Sequence, residues 1–397
     1  MEGDETQSRR RATMKDVARV AGVSLGTVSH VLNGTKKASA GATEAVNAAV
    51  IALDYRPNSL ARSLIARRPG RPPQAMPGGP RLVTVGYLSI DYMVSVDRVP
   101  ESGARMTSGG IEKMIGGPAA NVAAFAAGVG PPLEVKVEII SHIGTDADSD
   151  WALEELALRG IDASGTMRQP GKRLSRCIVL VDAEGERTIV NEPLHVPVDL
   201  VTRHLEADAG ETGAACVHFD GFHLATAEKV HRQLRQSGYR LSFHSVGLPA
   251  AEATVEGCRR LMRLFDMIVL DRATFAGIVA DDPALRHRPE RLFDLQPDPS
   301  CKAIVLTRGA EGAVLLRLGT EPLHQPAPPT RVTDATGAGD ALTGVLLASW
   351  LSQGDLDLAL AHAVRGASLS VTALGAQGRR VRAADIGADA SVARLEV

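Results

Sequence analysis

The sequence predicts an α/β body built on a mostly parallel sheet, behind a small all-α head. Three observations carry that expectation. From residue 81 onward, strand-length apolar runs alternate with segments of helical period, the pattern of parallel strands joined by crossover helices. Ahead of them, residues 1–66 hold short helical segments hinged at a glycine. Between the two lie residues 67–80, with five prolines and no apolar period. At 397 residues the chain is long for one domain, so two are expected, with material for a large core.

Charge divides the same way. Residues 1–80 carry 12 Lys/Arg against 6 Asp/Glu, and the rest 32 against 40, although the whole chain sums to only −2. A basic head before an acidic body points to nucleic acid for the head alone. Cys177, Cys216, Cys258 and Cys301 lie far apart and form no C-x-x-C pair, which argues against a disulfide framework or a zinc ribbon. Cys216, His218, His223, His231 and His244 lack zinc-ligand spacing and read as core or surface side chains. The N-terminus is polar, and no apolar stretch approaches the roughly 18–20 residues that span a bilayer, so a cytoplasmic protein is expected.

In the head, Val17, Ala18, Val20 and Ala21 give a first short helix. Gly22 turns the chain, Ser24 can cap a second helix, and Val28, Val31 and Leu32 would pack it back on the first. Two such helices have the helix-turn-helix form, whose second member lies in the major groove. The following linker, residues 67–80, reads as a semi-extended tether reaching up to roughly 40 Å at about 3.1 Å per residue.

Within the body, expected strands are Leu82–Leu88, ending near Asp91, then Val135–Ile140, Cys177–Val181, Ala215–Phe219, Met267–Leu270 and Ala303–Leu306. Helical segments include Trp151–Arg159 and Ala225–Gln236. Ligands of such sheets bind at the carboxyl ends of the strands, where Asp91, Asp271 and the Thr307 turn are expected. In Gly116-Gly117-Pro118-Ala119-Ala120-Asn121, a glycine pair permits close backbone approach and Asn121 offers donors and an acceptor.

The most informative stretch is Asp334-Ala335-Thr336-Gly337-Ala338-Gly339-Asp340, because an apolar run of helical spacing follows it and stops at Gly354. A helix starting there presents unpaired backbone N–H groups and a partial positive charge, so Gly337, Ala338 and Gly339 can form an anion hole. Asp340 would start the first turn, placed to take the proton of an attacking hydroxyl.

That stretch resembles the C-terminal signature of the ribokinase-like, or PfkB, carbohydrate kinases, Asp-Thr-x-Gly-Ala-Gly-Asp, with Ala335 in the second place. The Gly116–Asn121 motif is similar to the family's N-terminal signature. The resemblance covers nearly all of residues 81–385 and implies a ribokinase-like fold with a small β lid, which often forms a homodimer contact. It implies ATP and Mg²⁺ as cofactors, K⁺ near Asp334, and Asp340 as catalytic base. A sugar substrate would be gripped by Asp91, Gly116, Gly117 and Asn121. Nucleotide contacts would come from Asp271, Thr307, Gly309 and Gly312, with Ala361–Ala367 and Gly375–Ala376 at the adenine edge. Arg187, in a turn of that lid, reads as a solvated surface arginine, with contact to an acidic substrate group as the alternative.

Residues 14–34 and 55–64 resemble the LacI-family DNA-binding headpiece with its hinge helix. That resemblance implies base reading by Leu25, Gly26 and His30, phosphate contacts from Thr27 and Ser29, and Leu64 as the hinge leucine in the minor groove. Ser24 and Asn58 belong to the same DNA-binding set, and the expected partner is palindromic operator DNA. Gly26 has no side chain, and His30 stands where an arginine is usual, so the arginine–guanine contact is missing. In the body, the family's Asn-x-x-Glu is replaced by Asp271-Arg272-Ala273-Thr274. Asp271 can hold a hydrated Mg²⁺, whereas Thr274 cannot replace a carboxylate. Two functions stay open at this point: an ATP-dependent sugar kinase fused to a DNA-binding domain, or a repressor whose kinase-like domain only senses sugar.

Overall fold

The computed structural model describes residues 14–33, 39–52, 79–183, 187–207, 214–295 and 300–388. The chain divides into two units, residues 1–72 and 73–397, and the boundary falls inside the stretch read as a linker. The expected hinge helix at 55–64, with Asn58 and Leu64, lies outside the described residues, as do linker residues 67–78.

The first unit contains α1 (Met14–Ala21), α2 (Leu25–Asn33) and α3 (Ala40–Ala52). Gly22 turns the chain at φ +66°. Ser24 caps α2, its Oγ accepting the Thr27 N–H at 3.1 Å. Val17, Val28, Val46 and Ala49 form the core. The alanine-rich α3, not singled out from sequence, closes that core by supplying its last two members. Leu25 is exposed at the start of α2 and Gly26 follows it. Ser29 and His30 lie further along the same helix.

The second unit is built on a nine-stranded sheet among the described residues. Its order is β15 (Leu323–Gln325), β14 (Ala313–Leu316), β13 (Ala303–Thr307), β12 (Met267–Leu270), β11 (Arg240–His244), β10 (Ala215–Asp220), β1 (Arg81–Val85), β4 (Lys136–Ile140) and β6 (Ile161–Asp162). All neighbours from β13 to β6 are parallel, and β14 alone runs the other way, pairing antiparallel with both β13 and β15. Alternate residues serve opposite faces. Leu82, Val137, Val269 and Val305 pack with α4 (Pro118–Val129), α10 (Ala338–Gln353) and α11 (Leu356–Ser370). Val83, Phe219, Ile268 and Leu306 pack instead with α7 (Leu224–Gln236), α8 (Val255–Leu264) and α9 (Arg272–Asp281). Burial on both faces explains why these strands read as unbroken apolar runs. No helix among the described residues is long and apolar enough to cross a membrane.

A smaller sheet stands apart, in the order β3 (Gly110–Gly116), β2 (Ser89–Ser95), β8 (Ser175–Val181), β9 (Arg187–Asn191). This lid corrects two expectations. Asp91 is not at the end of the first main-sheet strand but inside β2, because β1 ends at Val85 and the chain turns at Gly86, φ +152°. Only glycine fits there, since a Cβ would stand 2.4 Å from Asp220 Oδ2. Cys177–Val181 likewise belongs to the lid, and its alternating burial, with Cys177 and Val179 buried and Ile178 exposed, marks a sheet covered on one face.

Candidate active site

The carboxyl ends of neighbouring strands gather Asp220, His244, Asp271 and Thr307 along one edge of the main sheet. The start of α10 reaches that edge. Gly337 caps the helix at φ +73°, where a Cβ would stand 2.6 Å from that of Ala376, so glycine is required. The N–H groups of Gly337, Gly339 and Asp340 find no acceptor among the described residues, while that of Ala338 makes a 3.3 Å turn bond to the Ala335 carbonyl. Three N–H groups at this helix start, those of residues 337, 339 and 340, are thus without a protein acceptor among the described residues. Gly354 ends the helix as expected, at φ +76°.

Asp340 sits in the first helical turn, 6% exposed. Asn121 Nδ2 donates to its Oδ2 at 2.8 Å. Burial pushes this carboxyl up to about 7, with Asp220 and Asp91 adding to the rise, while the Asn121 hydrogen bond and the Arg187 charge oppose it. Asn121 is also held at its other end: its Oδ1 accepts from Gln377 Nε2 at 2.8 Å, and Gln377 in turn accepts from Arg159 Nε at 2.9 Å. The amide is thus oriented from behind, with its donor end committed to Asp340.

Asp91 faces the same cavity from the lid and accepts from Ser89 Oγ at 2.8 Å. Burial raises its carboxyl to about 6, against the Ser89 hydrogen bond. The glycine pair explains its placement. A Cβ on Gly116 would lie 2.0 Å from Asp91 Oδ2, and one on Gly117 (φ +96°) would lie 2.5 Å from the Tyr87 carbonyl. Both glycines open space for the chain's own groups.

The cavity, about 200 Å³, is lined by Asn121, Gly337 and Asp340 from the main unit's helices and by Asp91, Arg187 and Asn191 from the lid. Its volume falls below the roughly 300–1,000 Å³ typical of drug-sized ligands and suits a small polar molecule. Arg187, Ile189 and Asn191 alternate along β9, so one face of that strand points into the cavity. Arg187 is the single cationic side chain among the lining residues. Arg187 is exposed, as expected of a solvated arginine, but it stands on the strand face that lines the cavity rather than in the turn.

Other expected site residues hold structural positions. Asp271 caps α9, accepting the Thr274 N–H at 2.8 Å, the Thr274 hydroxyl at 3.2 Å and the Ser245 hydroxyl at 2.6 Å. Burial pushes its carboxyl up, but these hydrogen bonds together outweigh it and leave it below the usual carboxylate range. Asp334 is buried and staples two loops: Oδ1 accepts the Thr336 N–H at 2.8 Å and its hydroxyl at 2.5 Å, and Oδ2 accepts the Gly375 N–H at 2.7 Å. Thr307 ends β13 and Gly309 (φ +60°) turns the chain. Gly312 (φ +93°) must be glycine, since a Cβ would stand 2.0 Å from the Gln325 carbonyl. Neither Asp334 nor the 307–312 turn lines the cavity. Among the described residues no group of three His, Cys, Asp or Glu side chains gathers as a metal-binding set.

Sequence reasoning missed β11 and, with it, His244 at the strand's end, buried beside Asp340. The run Arg240–His244 alternates polar and apolar residues, a local signal that could have found the strand, but nothing local ties position 244 to position 340.

A buried carboxylate beside unpaired N–H groups at a helix start, facing a lidded cavity, suits transfer of a phosphoryl group to a hydroxyl. Residues 80–382 match the pfkB family carbohydrate kinases, and the chain belongs to that family. Residues 13–58 match the lacI family of bacterial regulatory proteins, which gives the chain an N-terminal helix-turn-helix domain. Over 312 residues, 75% of this chain and 94% of the relative, the sequence is 26% identical to the ATP-dependent ribose-1-phosphate kinase of Halopiger xanaduensis. The head is 58% identical over 53 residues to the ribose operon repressor of Escherichia coli, 13% of this chain and 16% of that protein. Among solved structures, Arabidopsis thaliana ribokinase complexed with ribose and ATP shares the fold, with TM-score 0.60 and 18% identity over 78% of this chain and 97% of that one.

Proposed function

We propose that the body transfers the γ-phosphoryl group of ATP to a hydroxyl of a phosphorylated pentose, and that the head binds operator DNA in response to that sugar. The observation that carries the reading is Asp340, a buried carboxylate held by Asn121 on the cavity wall beside unpaired N–H groups. The acceptor hydroxyl gives its proton to Asp340 while its oxygen bonds to the γ-phosphorus and the bond from that phosphorus to the ADP oxygen breaks. The N–H groups of residues 337, 339 and 340 face the negative charge on the transferring group. Asp91 accepts a hydrogen bond from a second hydroxyl and fixes the ring.

Asp271 is ionised and partly exposed, and its oxygens already accept bonds from Ser245 and Thr274, so it suits the water shell of Mg²⁺ rather than direct ligation. When bound, Mg²⁺ neutralises phosphate charge. The Thr307–Gly312 turn, at the same sheet edge, is our candidate for nucleotide contact. Two observations support a phosphorylated acceptor: Arg187 on the cavity wall, and a relative named for ribose 1-phosphate.

A helix-turn-helix head reads a palindrome only as a pair, so we propose a homodimer whose operator affinity changes with sugar. A protein that binds DNA with its head and uses ATP in its body belongs in the cytoplasm. The test measures ADP formation over pentoses and pentose phosphates, alongside operator binding by the full-length chain with and without the active sugar. Sugar-dependent ADP release that is lost in Asp340→Asn supports the kinase. Sugar binding with no ADP from any acceptor would leave a sensor and overturn it.

A further inference from the structure

His244 is 3% exposed, and its ring is wedged between two parts of the catalytic apparatus. Nδ1 lies 3.5 Å from Asp340 Oδ1 and has no hydrogen-bond partner among the described residues. The opposite edge lies beneath the anion-binding turn, since a Cβ on Gly339 would stand 3.2 Å from Nε2 and 3.4 Å from Cε1. A buried ring nitrogen without a partner is costly and rare in folded proteins, and one aimed at a carboxylate calls for an explanation.

The groups around the ring decide its state. Asp340 faces it from α10, Asp220 and His218 lie on the neighbouring β10, and Asp271 follows β12. Burial holds the imidazole down to about 4, against the pull of Asp271 and Asp220, so it is neutral at physiological pH. A neutral ring carries one N–H. With Nδ1 facing Asp340 in the ionised form that can act as a base, above about pH 7, that proton belongs on Nδ1, because a lone pair there would meet the lone pairs of Oδ1.

We propose that His244 is a positioning residue for Asp340, donating Nδ1–H to Oδ1 once substrates close the site. The proposal rests on the reading of Asp340 as the base. Closing 3.5 Å to a hydrogen bond takes about 0.5 Å, given a usual N–H···O separation of 2.9–3.0 Å. Asn121 restrains only Oδ2, which leaves the carboxylate free to turn about its Cβ–Cγ bond. A second donor on Oδ1 stops that rotation and holds one lone pair toward the acceptor hydroxyl. Because the ring also packs under Gly339, base and anion hole are set relative to each other by one side chain.

The test uses full-length protein and two substitutions. His244→Leu removes the donor and keeps the bulk, whereas His244→Asn keeps an N–H near the Nδ1 position. Misplacing a catalytic group by about 1 Å costs on the order of 100-fold. His244→Leu should therefore lower kcat roughly 10–100-fold with KM for ATP and acceptor changed less than about threefold, and His244→Asn should recover most of the loss. Equal losses in both variants, an unchanged kcat in Leu, or a loss confined to KM would overturn the proposal. A second readout needs no turnover: ¹⁵N-histidine spectra of the wild type, with the His244 signals identified by their absence from His244→Asn. A protonated Nδ1 with a bare Nε2 is expected, and the opposite tautomer overturns the assignment. If the wild type makes no ADP from any acceptor, the kinase reading fails and the tautomer still decides whether His244 donates to Asp340.

Discussion

The floor of the cavity and its lid are built on different principles. On the floor, Asp340 is enclosed by α10, α4 and the ends of β10 and β11. Its partners are anchored in turn, Asn121 by Gln377 and Gln377 by Arg159. The lid is a sheet covered on one side only, with Ile111, Ile178 and Val190 exposed and with Arg187 and Asn191 on a strand exposed along its length. Preorganised, dry surroundings strengthen electrostatics and fix geometry, which chemistry requires. A half-covered sheet can adjust, which suits selection of the acceptor. The floor is thus expected to set kcat and the lid to set KM.

The largest effect should come from the floor. Asp340→Asn is expected to lower kcat by about 10²–10⁴ while ATP affinity, measured by calorimetry, stays within a few-fold. The same substitution should affect stability in a pH-dependent way. A carboxyl raised from 3.8 to about 7 favours the folded state fully below the unfolded value, and that contribution is lost as pH rises through about 7. Thermal melts should therefore show Asp340→Asn more stable than wild type near pH 8 and no more stable near pH 4. A variant turning over within a few-fold of wild type would break the assignment of chemistry to the floor.

Next comes the lid. Arg187→Ala should raise KM roughly 10–100-fold for ribose 1-phosphate and leave KM for ribose within about twofold, since a charge-assisted pair is lost only with the anionic acceptor. If kcat instead falls equally for both acceptors, Arg187 acts on the transferring phosphoryl group and the division between floor and lid dissolves.

A pH profile sharpens the comparison further. Because Asp340 must be ionised to take a proton, kcat should fall about tenfold per unit as pH drops below about 7. An acid limb near pH 4 would mean that bound substrates bring the carboxyl back to its ordinary range.

The smallest effect is expected on the outer face of the lid. Ile178 is 48% exposed, so Ile178→Thr should change folding stability by no more than about 0.5 kcal/mol and leave kcat untouched. Sedimentation of this variant also tests the lid as a dimer contact, where dissociation is the informative result.

The sequence by itself determined the parallel sheet, because double burial shows in each strand's own composition, and the helix-turn-helix and the helix beginning at Ala338, because these rest on contacts between near neighbours. A doubly buried strand must be apolar throughout, a left-handed cap must be Gly337, and Ser24 caps α2 through a residue three positions away. The lid was legible only through the family resemblance, and its strand Cys177–Val181 was read with the main sheet, since strand pattern says which residues share a face without saying what that face meets. Tertiary structure alone decided that Asn121 is spent on Asp340 and Gln377, that Gly116 makes room for Asp91, that Arg187 turns inward, and that His244 meets the base. The Asn121 and His244 contacts with Asp340 join residues 219 and 96 positions apart, and chain entropy erases any local trace of such pairs until the core assembles. Burial is equally invisible in sequence: Asp91 and Asp340 are the same residue type as exposed surface aspartates, and loss of water, the largest cause in both, lifts them to about 6 and about 7.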